Sequence, residues 1–239
     1  MITELYNYSP ISRTNVDGKR HYLTPDGGKV PSVTTILDRT KSEESKAQLQ
    51  AWKQRVGEEE AQRIVTEAAG RGTRMHKWLE DWVKLDAAGE PGSNPFSQHS
   101  HLMAHEIIEN GLSQVSEFWG VEVPVYYPGL YAGTTDCVGM WNGRPAIIDF
   151  KQSNKPKRRE WIEDYFAQLC AYAEAHNQVH GTNIETGVIL MCVKPELDAL
   201  GAITKPPQYL EFVVEGLEWE NHRNLWWDRV EDYHLNYAK

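Results

Sequence analysis

The sequence has few cysteines and no long apolar run, and these absences exclude two classes of protein. Its three cysteines, Cys137, Cys170 and Cys192, are too far apart for a Cys-x-x-Cys metal site and too few for a disulfide framework. No stretch approaches the roughly 20 apolar residues that a membrane helix needs. The N-terminus lacks a basic segment followed by an apolar one, which argues against a secretory signal. We therefore expect a soluble protein of a reducing compartment.

The sequence also lacks an excess of positive charge, since its formal net charge is −9. Non-specific binding to nucleic acid depends on neutralising phosphates, so the total charge does not favour a polyanionic partner. The distribution of charge can override the total. Residues 151–159, KQSNKPKRR, contain five basic side chains and no acidic one.

One short hairpin carries the most information. Asn142-Gly143 lies between apolar runs and predicts a type I′ turn, in which both central residues have φ > 0. A two-residue loop pairs Trp141 with Arg144, and the same register places Asp136 opposite Asp149. Side chains alternate along a strand, so Lys151 shares the face of Asp149, whereas Phe150 points the other way.

Two carboxylates facing each other need a reason to be there. Opposed residues have Cβ atoms roughly 5 Å apart, and like charges at that distance are destabilising. A divalent cation is the simplest group that makes the pair favourable, and Mg²⁺ is usually held by one or two carboxylates with water and phosphate. A lysine one pleat further along can stabilise developing negative charge. The alternative is a solvated strand end with chance charges.

Periodicity predicts an α/β fold. The pattern indicates a hairpin at 20–34, with the remaining elements being helices at 42–69, 71–88 and 98–116, strands at 119–127, 131–141 and 144–151, a helix at 159–178, strands at 186–194 and 208–214, and a helix at 216–237. Gly57 is a candidate helix break. We expect a single domain, 1–239, in which a core at 71–195 carries a helical insertion at 86–118. Residues 1–70 add a hairpin and helices, and residues 196–239 add a strand and a helix.

Spacing alone leaves other polar residues open. A lone helical histidine such as His76 is more often a surface or satisfied core residue than a ligand, and Glu80, four residues on, is a salt-bridge partner on the same face. Glu122, on the strand before Asp136, is either a further acidic ligand or an outward-facing polar residue. Gln168 and Tyr172 share a helix face, and by spacing alone they are a partly buried polar pair.

Five segments in this order resemble the PD-(D/E)XK nuclease superfamily, and within it the RecB-type nucleases. The likeness extends to mitochondrial genome maintenance exonucleases and their phage and bacterial relatives. It covers roughly residues 30–195 and is carried by PSVTTIL (31–37), RGTxxH (71–76), GTTD (133–136), DFKxSxKPK (149–157) and QxxxY (168–172). Each fragment is weak alone. The implied fold is a restriction-endonuclease-like core, α-β-β-β-α-β, with a mixed central sheet flanked by helices and with added N-terminal and inserted helices.

The resemblance implies roles for residues that spacing left open. It assigns Mg²⁺ or Mn²⁺ to His76, Asp136, Asp149 and the Phe150 main-chain carbonyl. It assigns activation of the attacking water to Lys151, and it gives the positioning of active-site groups and the DNA strand to Gln168 and Tyr172. Asp149 replaces the Glu of many members, and Thr135 stands where a proline is usual.

The expected DNA contacts are polar and basic residues of two of these segments and of the basic run that continues to 159: Arg71, Arg74, Ser153, Lys155, Lys157, Arg158 and Arg159. Some relatives bind an iron–sulfur cluster through four cysteines. Because this chain has only three cysteines, far apart in sequence, we expect no cluster here.

The resemblance therefore predicts a Mg²⁺- or Mn²⁺-dependent DNA exonuclease that prefers single-stranded ends and acts in DNA processing, recombination or repair. Two alternatives remain: a structure-specific endonuclease of the same fold and a non-catalytic nucleic-acid-binding module. The expected partner is DNA, and replication or recombination proteins are candidate partners. No association with a membrane is expected. The expected location is the cytoplasm of a bacterium or a phage-infected host cell.

Overall fold

The fold is described from a computed structural model that covers residues 2–85, 87 and 89–238. Within these residues, ten strands and six α-helices follow one another as β1 (Ser12–Val16), β2 (Lys19–Leu23), β3 (Lys29–Pro31), α1 (Val33–Arg39), α2 (Glu43–Val56), α3 (Glu58–Leu85), α4 (Pro95–Asn110), β4 (Val115–Tyr127), β5 (Tyr131–Trp141), β6 (Arg144–Ser153), α5 (Glu163–His180), β7 (Gly187–Val193), β8 (Glu196–Leu197), β9 (Ile203–Lys205), β10 (Gln208–Val214) and α6 (Gly216–Asn236).

The centre of the fold is a mixed five-stranded sheet in the order β10-β7-β6-β5-β4. Strands β6 and β7 are parallel, and the other neighbours are antiparallel. Strand β7, GVILMCV, is buried along its whole length because it lies inside the sheet and is covered on both faces. The predicted α/β class with a mixed sheet flanked by helices is confirmed.

Helices cover the sheet on both faces and give it two apolar layers. One cluster joins α1, α5 and α6 to the sheet through residues such as Ile36, Leu169 and Trp226. The other joins α3 and α4 to the opposite face through Met75 and Ile107. Lys151 and its neighbours on β6 therefore lie between two rigid layers, which fixes the backbone that carries the predicted site. Among the described residues, no helix has the length and apolar character needed to cross a bilayer.

The predicted hairpin has the predicted register. Asn142 and Gly143 have φ of 45° and 78°, as a type I′ turn requires. The ladder between β5 and β6 then runs from Trp141 opposite Arg144 to Cys137 opposite Ile148. Asp136 and Asp149 follow at the next position, where the ladder ends.

Several predicted elements differ from the structure. The helix predicted at 98–116 ends at Asn110, before Gly111, and β4 begins at Val115 and not at 119. The hairpin at 20–34 is part of a three-stranded sheet, because β1 pairs with β2 through a tight turn at Asp17-Gly18. Gly57 does break the helices, but α3 then runs through 70–71 without interruption because its backbone hydrogen bonds continue past both Gly70 and Gly72. The predicted boundary of the core therefore lies inside a helix, and the division into core and additions stays a prediction. A small hairpin, β8–β9, was missed.

The N-terminal segment is fixed to α5 by a buried histidine. His176 has no exposed surface and contacts the Tyr8 hydroxyl at 3.1 Å and Thr182 Oγ1 at 2.8 Å. Burial, helped by nearby His180, lowers the pKa of His176 to about 3. The imidazole therefore stays neutral in the folded state at pH values where the unfolded chain binds a proton.

This pKa difference predicts a loss of stability in mild acid. A histidine in the unfolded chain protonates near pH 6.5, so the free energy of unfolding should fall as the pH drops from about 6.5 toward 3. We expect the free energy of unfolding, measured with urea, to fall by about 2 kcal/mol less in His176→Gln than in wild type when the pH drops from 7 to 5. His99→Gln is the matched control. Equal pH dependence in wild type and His176→Gln would contradict the prediction.

Candidate active site

The two predicted carboxylates meet at the end of the β5–β6 ladder. Asp136 accepts a 2.7 Å hydrogen bond from the Phe150 N–H through Oδ2, which ties its carboxylate to the neighbouring strand. Asp149 and Lys151 lie on one face of β6, and the lysine Nζ contacts Asp149 Oδ2. Phe150 points the other way, into the layer formed by α3 and α4. Asp136, Asp149 and Lys151 have little exposed surface, so their charges interact in a poorly screened environment.

Two further ligand-bearing residues join this pair. His76, on α3, places Nδ1 at 3.3 Å from Asp136 Oδ1. Glu122 lies on β4 between two residues that pair with β5, and its φ of 52° is unusual for a non-glycine residue. One ligand atom from each of His76, Glu122 and Asp136 lies within 4.8 Å of the others. The backbone strain at Glu122 is of the kind found at functional sites, which favours its role as an acidic ligand.

Burial and the neighbouring charges shift the pKa values of the carboxyl groups in this cluster. Burial raises the pKa of Asp149 to about 6, and Lys151 only partly opposes this effect. Burial also acts on Asp136, but His76, Lys151 and the Phe150 N–H together outweigh it and hold the pKa of that carboxyl below its usual value. Burial and the neighbouring Asp136 raise the pKa of Glu122. Two of the three carboxyls are therefore costly to ionise as they stand, and an added cation would favour their charged forms.

The charge on Lys151 is maintained by its neighbours. Burial works against the ammonium, but Asp149 and Asp136 outweigh it, so the pKa of Lys151 is raised. Its Nζ also lies 4.9 Å from the centre of the Tyr165 ring, a distance at which a cation is attracted to an aromatic face. Lys151 is thus held as a cation with donors available beside the carboxylates.

The donor set fits a hard divalent cation. Three carboxylates and one imidazole provide oxygen and nitrogen ligands, and no thiolate is among them. Such a set suits Mg²⁺ or Mn²⁺ better than metals that prefer sulfur. The three cysteines are free and buried elsewhere in the sheet and in α5.

A cavity of about 630 Å³ opens over these residues. Its wall on the α5 side is formed by Gln168 and Tyr172, and the amide of Gln168 donates a 2.8 Å hydrogen bond to the Tyr172 hydroxyl. The two side chains share one helix face, as their spacing predicted. The structure therefore brings together His76, Asp136, Asp149, Lys151, Gln168 and Tyr172 around one space.

Gly133 allows Tyr172 to take this position. A Cβ at residue 133 would lie 2.7 Å from Tyr172 Cε1, which is closer than two non-bonded carbon atoms normally approach. We expect Gly133→Ala to displace the tyrosine ring and to cost about 1–3 kcal/mol of stability. We also expect a fall in any activity that depends on the Gln168–Tyr172 pair.

The measurement is thermal unfolding together with an activity assay of the same preparation. Gly70→Ala, in α3, is the matched control because its Cβ would meet only the end of the Arg74 side chain, at 3.4 Å. A Gly133→Ala protein with wild-type stability and activity would show that the close approach has no consequence.

Comparisons with known proteins agree with this geometry. No family model matches the chain. The chain is 28% identical over 200 residues to mitochondrial genome maintenance exonuclease 1 of Xenopus tropicalis, covering 77% of this chain and 56% of the relative. It is 29% identical over 177 residues to the protein of the same name in Homo sapiens, covering 69% of this chain and 49% of that one. The resemblance to PD-(D/E)XK-like nucleases is therefore confirmed.

The alignments cover only part of each relative. The chain spans about half the length of the relatives that it matches. A solved structure of a phage-related exonuclease from Haemophilus somnus aligns over 66% of this chain and 78% of its own, with 12% identity and a TM-score of 0.36.

Three of the residues predicted to contact DNA form hydrogen bonds to other residues of this chain. Arg71 is buried and donates to Gln152 Oε1 at 2.8 and 3.0 Å, which links α3 to the end of β6. Arg159 forms a two-pronged pair with Glu218 at 2.6 and 2.7 Å. Ser153 donates to the Lys155 carbonyl at 2.6 Å and shapes the turn after β6. Their polar groups hold elements together, and their contact with DNA stays a prediction.

The other four predicted contacts are more accessible. Lys155, Lys157 and Arg158 are exposed on the segment between β6 and α5. Arg74 reaches Ser100 Oγ at 3.3 Å and lies 5.9 Å from the centre of the Phe96 ring.

The contribution of the N-terminal sheet to the cavity was not predicted from the sequence. Arg13 and Arg20, from β1 and β2, line the same space as Asp136 and Asp149. Strand β1 was not predicted, because its alternation is weak and its residues are polar. The one available signal was the PSVTTIL segment, whose Ser32 and Thr34 also line the cavity.

Proposed function

We propose that this chain is a divalent-metal-dependent deoxyribonuclease that acts on the ends of single-stranded DNA. The observation that carries the proposal is the convergence of Asp136, Asp149 and Lys151, from two paired strands, with His76 from α3 in one cavity. Relatives that share this part of their sequence are named exonucleases, which supports DNA as the substrate class.

The residues that would hold Mg²⁺ or Mn²⁺ are His76, Asp136, Asp149 and the Phe150 carbonyl, with Glu122 as a further ligand. When bound, such an ion lowers the pKa of a coordinated water and stabilises charge on a phosphoryl group. His76 and Asp136 orient each other across 3.3 Å, and the Phe150 N–H fixes the second oxygen of Asp136. The chain thus presents its ligands before any substrate arrives.

The remaining groups of the cavity act on the substrate and the water. Lys151 is held as an ammonium by Asp149, so it donates hydrogen bonds and opposes the negative charge that develops on the phosphate. Gln168 keeps its carbonyl oxygen available because its amide nitrogen already donates to Tyr172. That pair therefore presents an acceptor and a fixed aromatic edge toward a bound strand.

The exposed basic segment supplies a surface for the DNA backbone. Lys155, Lys157 and Arg158 follow directly on β6, so their charges lie close to the end of the strand that carries Lys151. Their attraction for phosphates offsets the net charge of −9 only locally and should weaken as salt is added. The preference for single strands, a role in DNA processing, recombination or repair, association with replication or recombination proteins, and a cytoplasmic site of action are parts of this proposal. So is the organisation as one nuclease domain.

The test is product analysis on end-labelled linear and circular single-stranded DNA with Mg²⁺, Mn²⁺ or EDTA. We expect shortening of the linear strand with either metal, an intact circle, and no product in EDTA. Cleavage of the circle would instead indicate an endonuclease of the same fold. Undiminished DNA on prolonged incubation with both metals, together with retained DNA binding, would indicate a non-catalytic binding module.

A further inference from the structure

The N-terminal sheet presents one face to the catalytic cavity. In the β1–β2 pair, Arg13 lies opposite Tyr22, and Arg20 lies two residues before Tyr22 on the same strand. Because side chains alternate along a strand, all three share one face. Tyr22 is buried and lines the cavity over the carboxylates, and both arginines line it as well. The face that carries Arg13 and Arg20 therefore borders the space that a substrate would enter.

These two arginines differ from several other arginines of the chain in having free donors. Arg71, Arg159 and Arg229 each donate to side-chain oxygens of the protein. In the part of the chain that the structure describes, neither Arg13 nor Arg20 forms an ion pair or a side-chain hydrogen bond, although Lys19 beside them pairs with Asp38. An arginine fork without a protein acceptor, at the edge of an acidic cavity, is suited to a planar or tetrahedral anion from outside.

A second recess extends the cavity in a defined direction. It measures about 570 Å³ and shares Arg13, Arg20 and Thr34 with the first. These side chains border both spaces, so a strand that ran from Asp149 toward the second recess would pass both arginines. The carboxylates repel a polyanion, and cationic groups along that route would offset the repulsion.

We propose that Arg13 and Arg20 form a phosphate-binding site that holds the substrate strand beside the reacting phosphate. This inference rests on the proposed function, because it takes the occupant of the cavity to be a DNA strand. The ligand is a phosphate of that strand, either an internal diester or a terminal monoester. The two arginines are positioning residues, since they act on a phosphate next to the bond that breaks.

The test compares the full-length wild-type protein with Arg13→Ala, Arg20→Ala and the corresponding lysine variants. Binding is measured in EDTA by fluorescence anisotropy of single-stranded oligonucleotides that carry a 5′-phosphate, a 3′-phosphate or only hydroxyl ends. Cleavage in Mn²⁺ gives KM and kcat separately. Arg144→Ala is the matched control, because it removes an exposed arginine that pairs with Glu215 beside the β5–β6 turn, at the far end of β6 from Asp149.

We expect each alanine variant to raise Kd and KM about 10-fold, as loss of a charge-assisted hydrogen bond does, with a smaller change in kcat. Lysine should restore part of the binding because it keeps the charge but not the fork. The salt dependence of binding should fall by about 0.7 in logarithmic slope for each arginine lost, which a purely structural role would not produce. A loss confined to one phosphorylated end identifies a terminal monoester, and an equal loss on all oligonucleotides identifies an internal diester.

Two outcomes separate this inference from the proposed function. If wild type cleaves DNA and the folded Arg13 and Arg20 variants match Arg144→Ala in Kd, KM and salt dependence, the phosphate site is wrong and the nuclease stands. If wild type neither binds nor cleaves DNA with either metal, the proposed function fails first. An alanine variant that does not fold is replaced by the glutamine variant, which keeps the length of the side chain and removes the charge.

Discussion

Asp149→Asn should lose metal-dependent DNA cleavage by about 10²–10³-fold or more, the effect expected when a preorganised charge at a reacting phosphate is removed. The amide keeps the shape of the side chain but contributes no charge to a cation. It also lies next to Lys151, whose ammonium then loses its closest carboxylate. The loss should appear mainly in kcat, because the substrate contacts of the cavity wall are unchanged.

A second readout shows whether the loss comes from the metal. A ligand that binds only the folded state stabilises it by about 2.7 kcal/mol at 100 times its Kd, so Mn²⁺ should raise the unfolding temperature of wild type. Asp149→Asn should show a much smaller rise. Asp228→Asn, on the exposed side of α6, is the matched control for both assays. Wild-type cleavage by Asp149→Asn would remove this carboxylate from the mechanism.

Lys151→Met should reduce kcat by about 10²–10³-fold while Mn²⁺ still stabilises the protein. Methionine keeps most of the apolar stem but removes the charge that opposes developing negative charge on the phosphate. Without metal, the variant should also be less stable by about 3–5 kcal/mol, because Asp149 is then a buried carboxylate without its partner. Activity and metal binding are therefore expected to separate in this variant, unlike in Asp149→Asn.

The control for Lys151→Met is Lys205→Met, which removes an exposed lysine paired with Glu196. Exposed pairs contribute about 0–1 kcal/mol, so this variant should resemble wild type. A Lys151→Met protein with wild-type kcat would show that its ammonium takes no part in the chemistry.

The hairpin could be predicted from sequence because its information is local. Asn142-Gly143 fixes the turn, the turn fixes the register, and the register places Asp136 beside Asp149. No distant contact enters that chain of consequences. The strands β5 and β10 were likewise predicted with their observed bounds, since apolar alternation and flanking glycine or proline mark their ends.

The approach of separate elements could not be predicted in the same way. Nothing in its local sequence shows that His76 lies 3.3 Å from Asp136, because α3 and β5 are joined only by packing on the sheet. The resemblance to a nuclease family supplied that pairing. The same limit applies to Arg13 and Arg20: β1 is short, polar and far from β6 in sequence, so its place at the cavity depends on tertiary contacts alone.

Arg71 shows that residue type alone does not reveal which partner a side chain has. The residue was predicted to contact DNA, which stays a prediction, and in the structure its guanidinium is buried and donates to Gln152. These hydrogen bonds hold α3, the helix that carries His76, against β6. Residue type indicated the chemistry, but only the structure shows which partner takes the hydrogen bonds.

The central claim is that His76, Asp136 and Asp149 hold a catalytic divalent cation where the ladder between β5 and β6 ends. The most direct measurement is anomalous X-ray scattering from crystals of the wild-type protein grown with Mn²⁺. The predicted result is a peak bounded by these three side chains, near the Phe150 carbonyl, that is absent from Asp149→Asn crystals grown in the same way. Well-ordered side chains around a site without a peak, or a peak only elsewhere, would contradict the account.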